Sequence, residues 1–332
     1  MPRTLHDGRE RPLCRSFSLT STESYSKAKK LFVATHPEWR MSNPVDLFRK
    51  REFTQLNDTG AYLDYTGAGL YPKSIVDHHA RLLKCTIFGN PHSTSPRYAQ
   101  KYYQKSEMLN FVPVSSEMSS HLAHEARLAV LSFFDADPNE YTVIFTTNAS
   151  NALRIVGESY PFSSNSHLIL PLDAHNSVNG LREYAFAAGA HVSYTPMLGD
   201  IPQTLAALPD PTSPNPGLFA LTGQSNVSGY KYDLELLNLV KKLHGFDTLL
   251  DAAALAPTTR ISLSGLANSV DAMAISLYKM IGYPTGVGAL VARKAFLTKL
   301  KKRWFSGGSV RVVQVGIFNL GRVGLCILTI IR

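Results

Sequence analysis

Apolar and polar positions follow two rhythms through the middle of the chain. Short apolar, often β-branched runs recur at Thr142–Thr147 (TVIFTT), His167–Leu172 (HLILPL), His191–Pro196 (HVSYTP), Leu218–Gly223 (LFALTG), Asp247–Ala253 (DTLLDAA) and Ala272–Tyr278 (AMAISLY). Their length and their flanking turn residues predict buried strands. Between them, apolar positions fall at helical spacing in SNALRIVGESY, SVNGLREYAFAAGA and DLELLNLVKKLHG. Strand and helix in alternation predict an α/β fold, a mostly parallel sheet covered by helices. Ahead of this region the segment to about Gly60 is polar and mixed, and predicts an arm with one helix near Pro44 to Phe53. Residues Arg97 to about Met118 follow neither rhythm and are expected to form a surface insertion.

Composition narrows the class. A chain of 332 residues with 44% hydrophobic residues buries a substantial core, enough for one large domain and part of a second. The net charge of +9 and pI near 9.4 come from scattered basic residues. The local cluster Lys299, Lys301, Lys302 and Arg303 reads as a solvated helix face, and no nucleic-acid signature accompanies it, so no nucleic-acid partner is expected. Cys14, Cys85 and Cys326 are odd in number and far apart, which favours a reducing, cytoplasmic setting over a disulfide framework. None has metal-ligand spacing, so no metal is expected. Acidic residues Asp7, Glu10 and Glu23 dilute any transit-peptide pattern around Arg3, Arg9, Arg11 and Arg15. The apolar tail Val312–Ile331 is interrupted by Gln314, Asn319 and Arg322, which predicts a buried strand or irregular terminus and no membrane span.

Parallel sheets bind ligands beyond the carboxyl ends of their strands. The polar residues expected there are Thr147 to Ser150, Asp173 to Asn176, Gln224 to Asn226, Asp251, and Ser276 with Lys279. Asp251 and Lys279 are about one strand, crossover and strand apart, which places both at one edge of neighbouring parallel strands. A carboxylate and an amine converging there suit pyridoxal phosphate: lysine forms a Schiff base, and the acid keeps the pyridine nitrogen protonated. A buried Asp–Lys ion pair fits the same spacing. In TTNASNALRIVGE a helix beginning near Ser150 offers free N–H groups to a phosphate, or simply carries an N-cap. His175 could stack on a flat ring or move protons, and Asn226 could meet a phenolate oxygen or make a turn.

Taken in order, YLDYTGAGLYP, FGNPHS, FTTNASNALRIVGE, HNSVNGLREYA, QSNVSG, LLDAAALAPT and SLYKMIGYPTGVGALVAR resemble class V pyridoxal-phosphate enzymes of aminotransferase fold type I. The resemblance runs from about Phe48 to Val313 and is strongest to the cysteine-desulfurase-like domain of molybdenum cofactor sulfurases. It implies a three-layer fold type I large domain at 61–311, flanked by an arm at 1–60 and an atypical tail at 312–332, with 97–118 inserted. It also implies pyridoxal 5′-phosphate, a small amino-acid substrate such as cysteine, and a homodimer with sites built between subunits.

Residue by residue, Lys279 matches the Schiff-base lysine and proton shuttle, and Asp251 the partner of the pyridine nitrogen. His175 matches the residue that stacks on the ring and assists proton transfer, and Asn226 the one near the phenolate oxygen. Ala149 and Ser150 match the phosphate-binding turn, and Ser276 a second phosphate contact. Tyr278 stands where many relatives have histidine, and Ser309 where phosphate is contacted across a dimer.

Three features depart from the pattern. Ala254 stands where many cysteine desulfurases have glutamine. The chain stops soon after VRVVQV, so the small C-terminal domain, with its carboxylate-binding arginine and sulfur-accepting cysteine, is expected to be largely missing. None of the three cysteines lies in a matching motif, and the tail GIFNLGRVGLCILTIIR has no counterpart. The expected activity is that of a transferase or lyase on an amino acid, resembling cysteine desulfurase. Transamination, elimination or epimerisation of another amino acid, and a truncated non-catalytic paralogue, stand as alternatives.

Overall fold

The strand-forming runs assemble one sheet in a computed structural model that describes residues 22–38, 43–59, 61–91, 115–196, 217–266 and 269–301. Contacts divide the chain into two units, Met1–Gly60 and Ala61–Arg332. The first carries α1 (Thr22–Thr35), α2 (Asn43–Glu52) and α3 (Leu56–Thr59). Helix α2 is the one expected near Pro44–Phe53. Proline is tolerated in its first turn, where no N–H partner is needed, and Arg49, Lys50 and Arg51 complement the dipole of its last turn.

The second unit begins with α4 (Lys73–Cys85) and α5 (Ser115–Phe133). The alternation then runs β1 (Tyr141–Thr146), α6 (Ala149–Ser159), β2 (His167–Pro171), α7 (Asn176–Asn179), α8 (Leu181–Ala187), β3 (His191–Thr195), β4 (Gly217–Thr222), α9 (Glu235–His244), β5 (Asp247–Asp251), β6 (Ala272–Ser276), α10 (Leu277–Ile281), β7 (Gly288–Arg293) and α11 (Lys294–Lys299). The sheet order is β1-β7-β6-β5-β4-β2-β3. Every pairing is parallel except those of β7, which runs antiparallel between β1 and β6.

Alternate residues of each central strand face opposite cores, which makes the unit three layers deep. Phe219, Leu221, Leu250, Met273, Ile275 and Val291 pack with Leu131 of α5 and with Leu236, Leu237 and Val240 of α9. On the other face, Leu218, Ala220, Leu249, Ala272, Ala274 and Leu290 meet Ala152, Leu153 and Val156 of α6 and Leu181 of α8. Small residues on that face let α6 lie close to the sheet. Full burial on both sides explains why these strands read as continuous apolar runs.

Several expectations shift. The run Ala272–Tyr278 is a strand only to Ser276, because its partner β7 begins at Gly288, which pairs with Ser276. The chain then closes a helical turn, with the Gly282 N–H donating to the Tyr278 carbonyl at 3.0 Å. The apolar periodicity does not single out β7, α4 or α5. Of the expected insertion, Ser115 to Met118 open helix α5, whereas 97–114 lie outside the described residues, as do the tail 312–332, Cys14, Cys326 and Ser309.

Candidate active site

Strands β1, β2, β4, β5 and β6 all end at the same edge of the sheet, and the loops that leave them enclose one cavity. Eight of the residues singled out above, Ala149, Ser150, His175, Asn226, Asp251, Ser276, Tyr278 and Lys279, line it, whereas Thr147, Asn148, Asp173, Ala174, Asn176 and Ser225 do not. Leu153, Ser177, Gln224, Ala253 and Ala254 complete the lining.

One end of the cavity is the N-terminus of α6. Asn148 caps it, its Oδ1 accepting the Asn151 N–H at 2.9 Å, and the Ala149 N–H donates to the buried Ser276 Oγ at 3.1 Å. The Ser150 N–H makes no hydrogen bond among the described residues, so one first-turn donor stays free. The Ser150 and Ser177 hydroxyls lie 2.6 Å apart beside it. Ser276 already accepts from Ala149, which leaves its own O–H free to donate. A free N–H, hydroxyl donors and the positive end of the helix dipole form an anion cradle. The cradle depends on Gly288, where a Cβ would lie 2.6 Å from the Asn148 backbone and 2.7 Å from the Ile275 carbonyl. A side chain there would push the cap of α6 away from β6.

At the centre, Asp251 ends β5 between β4 and β6, in register with Thr222 and Ala274. Asp251 is 5% exposed, and among the described residues its carboxylate accepts one hydrogen bond, from the Ala253 N–H to Oδ1 at 3.1 Å. Burial pushes its pKa above the ordinary carboxylate value, opposed by the Ala253 N–H and by the nearby His175 and Lys279. Lys279 sits in the third position of α10, not at the strand exit itself. Its amine makes no hydrogen bond or ion pair among the described residues. The Asp251–Lys279 ion pair allowed by spacing is therefore not formed: the two groups share a cavity without closing on each other. The backbone beneath Lys279 is held firmly. The Tyr278 carbonyl accepts from the Gly69 N–H at 3.1 Å as well as from Gly282, and the Tyr278 N–H donates to Val287 at 3.2 Å. Gly282 has φ +77° and approaches the Leu70 backbone so closely that a Cβ would lie 2.4 Å from it, so only glycine fits that turn.

Two further loops close the site. His175 caps α7 by accepting the Ser177 N–H at Nδ1, 3.1 Å away, which assigns the ring proton to Nε2. After β4, residues 223–232 turn back on themselves through Ser225 N–H to Tyr230 O (2.9 Å) and Tyr232 N–H to Gly223 O (3.0 Å), carrying Asn226 at the tip. The Tyr232 hydroxyl donates to Asp173 Oδ1 at 2.5 Å, and Ser225 Oγ to the Asp173 carbonyl at 3.4 Å. These bonds tie the hairpin to the loop that carries His175.

Leu153 and Ser177 escaped the sequence reading, although local spacing held a signal for both. Leu153 lies one helical turn beyond Ala149, on the same face, and Ser177 lies two residues beyond His175. Gln224 was visible only as one of several polar residues after a strand. A buried carboxylate, an amine unpaired among the described residues and an anion cradle in one cavity equip it to bind an anionic ligand and to move protons.

The family model described as aminotransferase class V matches residues 61–319. Molybdenum cofactor sulfurase of Solanum lycopersicum is 35% identical over 303 residues, covering 80% of this chain and 34% of the relative. That of Aspergillus oryzae is 36% identical over 279 residues, covering 82% and 31%. This chain thus spans about a third of the length of the curated relatives it matches. Among solved structures, the cysteine desulfurase CsdA from Escherichia coli shares the fold with a TM-score of 0.62 at 22% identity, over 82% of this chain and 63% of that one.

Proposed function

Because this chain belongs to the class V aminotransferase family, we propose that its cavity holds pyridoxal 5′-phosphate and acts on an amino acid, with cysteine desulfuration as the reaction. The donor set fits that cofactor. Asp251 is a buried carboxylate whose raised pKa calls for a cationic N–H partner, which a protonated pyridine ring offers. The free Ser150 N–H and the Ser276 hydroxyl suit a phosphate. The observation that carries the proposal is Lys279, which lines the same cavity and whose amine has no hydrogen-bond or ion-pair partner among the described residues, leaving it free to react with an aldehyde.

When bound, the cofactor supplies an aldehyde for the substrate's amino group and a ring that accepts the electron pair released at the substrate's Cα. The chain's own residues do the rest. Lys279 Nζ, on a helix turn fixed from both sides, takes the Cα proton and returns it. Asp251 holds the proton on the ring nitrogen and so sustains the electron demand. Ser150 and Ser276 anchor the phosphate, which fixes the ring's position. His175, with its proton on Nε2, would lie against the ring and assist proton transfer. Asn226 and Tyr278 complete the polar wall.

Reconstituted with pyridoxal phosphate and given L-cysteine with an added thiol, the chain is expected to release alanine. The substrate's C–S bond breaks, its sulfur passes to the thiol as a persulfide, and the carbon takes up the proton. A keto acid from cysteine or another amino acid would instead point to transamination, and a cofactor-loaded protein that turns over no amino acid would sink the enzymatic proposal.

A homodimer in the cytosol belongs to the same proposal. Helix α4 buries none of its residues, and Leu63 and Ile87 on either side of it are 87% and 84% exposed, which supports burial against a second copy. Cys85 is a free exposed thiol, and no helix among the described residues is long and apolar enough to cross a membrane. Sedimentation equilibrium is expected to return twice the 36.6 kDa chain mass, and cell fractionation reads the compartment.

A further inference from the structure

Gly69 stands where space, and not backbone conformation, calls for glycine. Its φ lies outside the left-handed region. A Cβ there, however, would lie 2.9 Å from the Lys279 carbonyl oxygen and 3.2 Å from the Gly282 nitrogen. The Gly69 N–H also donates to the Tyr278 carbonyl at 3.1 Å, so this one residue touches the peptide groups before and after the Lys279 Cα. In the reverse sense, a Cβ on Gly282 would come within 2.4 Å of Leu70 and 2.5 Å of Tyr71 backbone atoms. The two segments pack main chain on main chain, with no side chain between them to absorb a shift. Both are braced. The Tyr62 hydroxyl is shared between the carbonyls of Asp64 (3.1 Å) and Ala68 (3.0 Å), and the Gly67 and Ala68 N–H groups both donate to the Asp64 carbonyl at 3.1 Å. Beyond Gly282, the Tyr283 hydroxyl lies 2.6 Å from His79 Nδ1 on α4, and its ring meets that of Tyr71 edge-on.

We propose that Gly69 is a positioning residue: by standing against the Lys279 backbone without a side chain, it sets where the Lys279 amine meets the aldehyde of bound pyridoxal phosphate. This rests on the cofactor reading of the cavity. In that encounter the neutral amine nitrogen forms a double bond to the aldehyde carbon, and the aldehyde oxygen leaves as water with the two hydrogens of the nitrogen. Such an attack tolerates little displacement, since misplacement by about 1 Å costs about 10²-fold. A methyl group at position 69 is accommodated only by moving the Lys279 turn. Ser150, Ser276 and Asp251 sit on α6, β6 and β5 and keep their places.

The test separates the aldehyde from the rest of the cofactor. Apo protein is mixed with saturating pyridoxal phosphate and quenched with borohydride at intervals, and the cofactor fixed to the peptide containing Lys279 is read by mass spectrometry. Equilibrium dialysis reads the affinity for 4′-deoxypyridoxine 5′-phosphate, which carries a methyl group in place of the aldehyde, and thermal melts read folding. Gly69→Ala is expected to slow fixation at Lys279 by about 10–10²-fold and to bind the deoxy compound as wild type does. Gly67→Ala is the control from the same segment: its Cβ would first meet the exposed Asp64 carboxylate, which can swing away, so it is expected to match wild type in both readings. Fixation at the wild-type rate in Gly69→Ala would overturn the proposal. A Gly69→Ala chain that loses the deoxy compound as well, or that no longer folds while Gly67→Ala does, would overturn it too, by showing that Gly69 shapes the cavity or holds the fold instead of placing the amine. Wild-type protein that binds neither compound would overturn the cofactor reading first. Wild-type protein that binds both yet fixes no cofactor at Lys279 would overturn the role of that lysine, and either result takes this inference with it.

Discussion

Lys279→Ala is expected to lower amino-acid turnover by about 10²–10⁴-fold or more, the range for removing a positioned proton-transfer group, with the lysine's covalent role lost as well. The same change is expected to leave folding stability within about 0.5 kcal/mol of wild type. The second expectation follows from one fact: the amine has no hydrogen bond or ion pair among the described residues, so its removal breaks no contact that holds the fold. The scaffold beneath it rests on backbone groups of Gly69, Tyr278, Gly282 and Val287, which alanine leaves intact. Borohydride treatment of the reconstituted protein should fix the cofactor to the peptide containing Lys279, as read by mass spectrometry, and should fix none in the variant. Small primary amines added to the variant should restore part of the lost turnover. Full activity in the variant, or fixation at a different lysine, would show that Lys279 is not the reacting amine.

Asp251→Asn should separate function from stability in the opposite sense to most core substitutions. The carboxylate is buried and its pKa is raised chiefly by desolvation, so the ionised form is a cost to the cofactor-free fold. A raised folded-state pKa means that the folded chain holds more protons than the unfolded chain in the interval above the ordinary aspartate value of 3.8. Stability from this group is thus fully present below that value and is lost as pH rises through the folded pKa. Asparagine keeps the shape and can still accept the Ala253 N–H, but it carries no charge. The cofactor-free variant should therefore be at least as stable as wild type at neutral pH, with a flatter dependence of its melting temperature on pH. Turnover should fall by about 10²-fold or more, because an amide cannot hold the ring nitrogen's proton as a carboxylate does. Thermal melts across pH and steady-state assays of the reconstituted proteins check the two halves. A variant that melts lower yet retains activity would make Asp251 a structural residue.

These two residues also show how far the chain could be read before it was folded. Their separation in sequence placed them on neighbouring parallel strands, and β5 and β6 do pair that way. Spacing could not decide between a closed ion pair and two groups held apart. That distinction rests on α10, whose turn begins at Leu277 because β7 ends its pairing at Gly288. The length of β6 thus depends on a partner strand that the periodicity did not single out. That the buried Oε1 of Gln224 has no hydrogen-bond partner among the described residues was equally hidden, since it follows from the fold of a hairpin pinned by Tyr232 to Asp173, far away in sequence.

The sequence by itself determined the elements and the order of the site. Strands buried on both faces must be apolar throughout, helices covering a sheet must be apolar at helical spacing, and ligands collect where parallel strands end. These constraints are local, so they are written locally, and residues from five strand exits that they pointed to line one cavity, while Tyr278 was marked only by the family resemblance. Only the tertiary structure decided the antiparallel insertion of β7 and which polar groups in that cavity are satisfied. A hydrogen-bond partner is chosen by proximity in space, and for Ala149 with Ser276, Tyr232 with Asp173 and Gly69 with Tyr278 that proximity exists only once the sheet has closed.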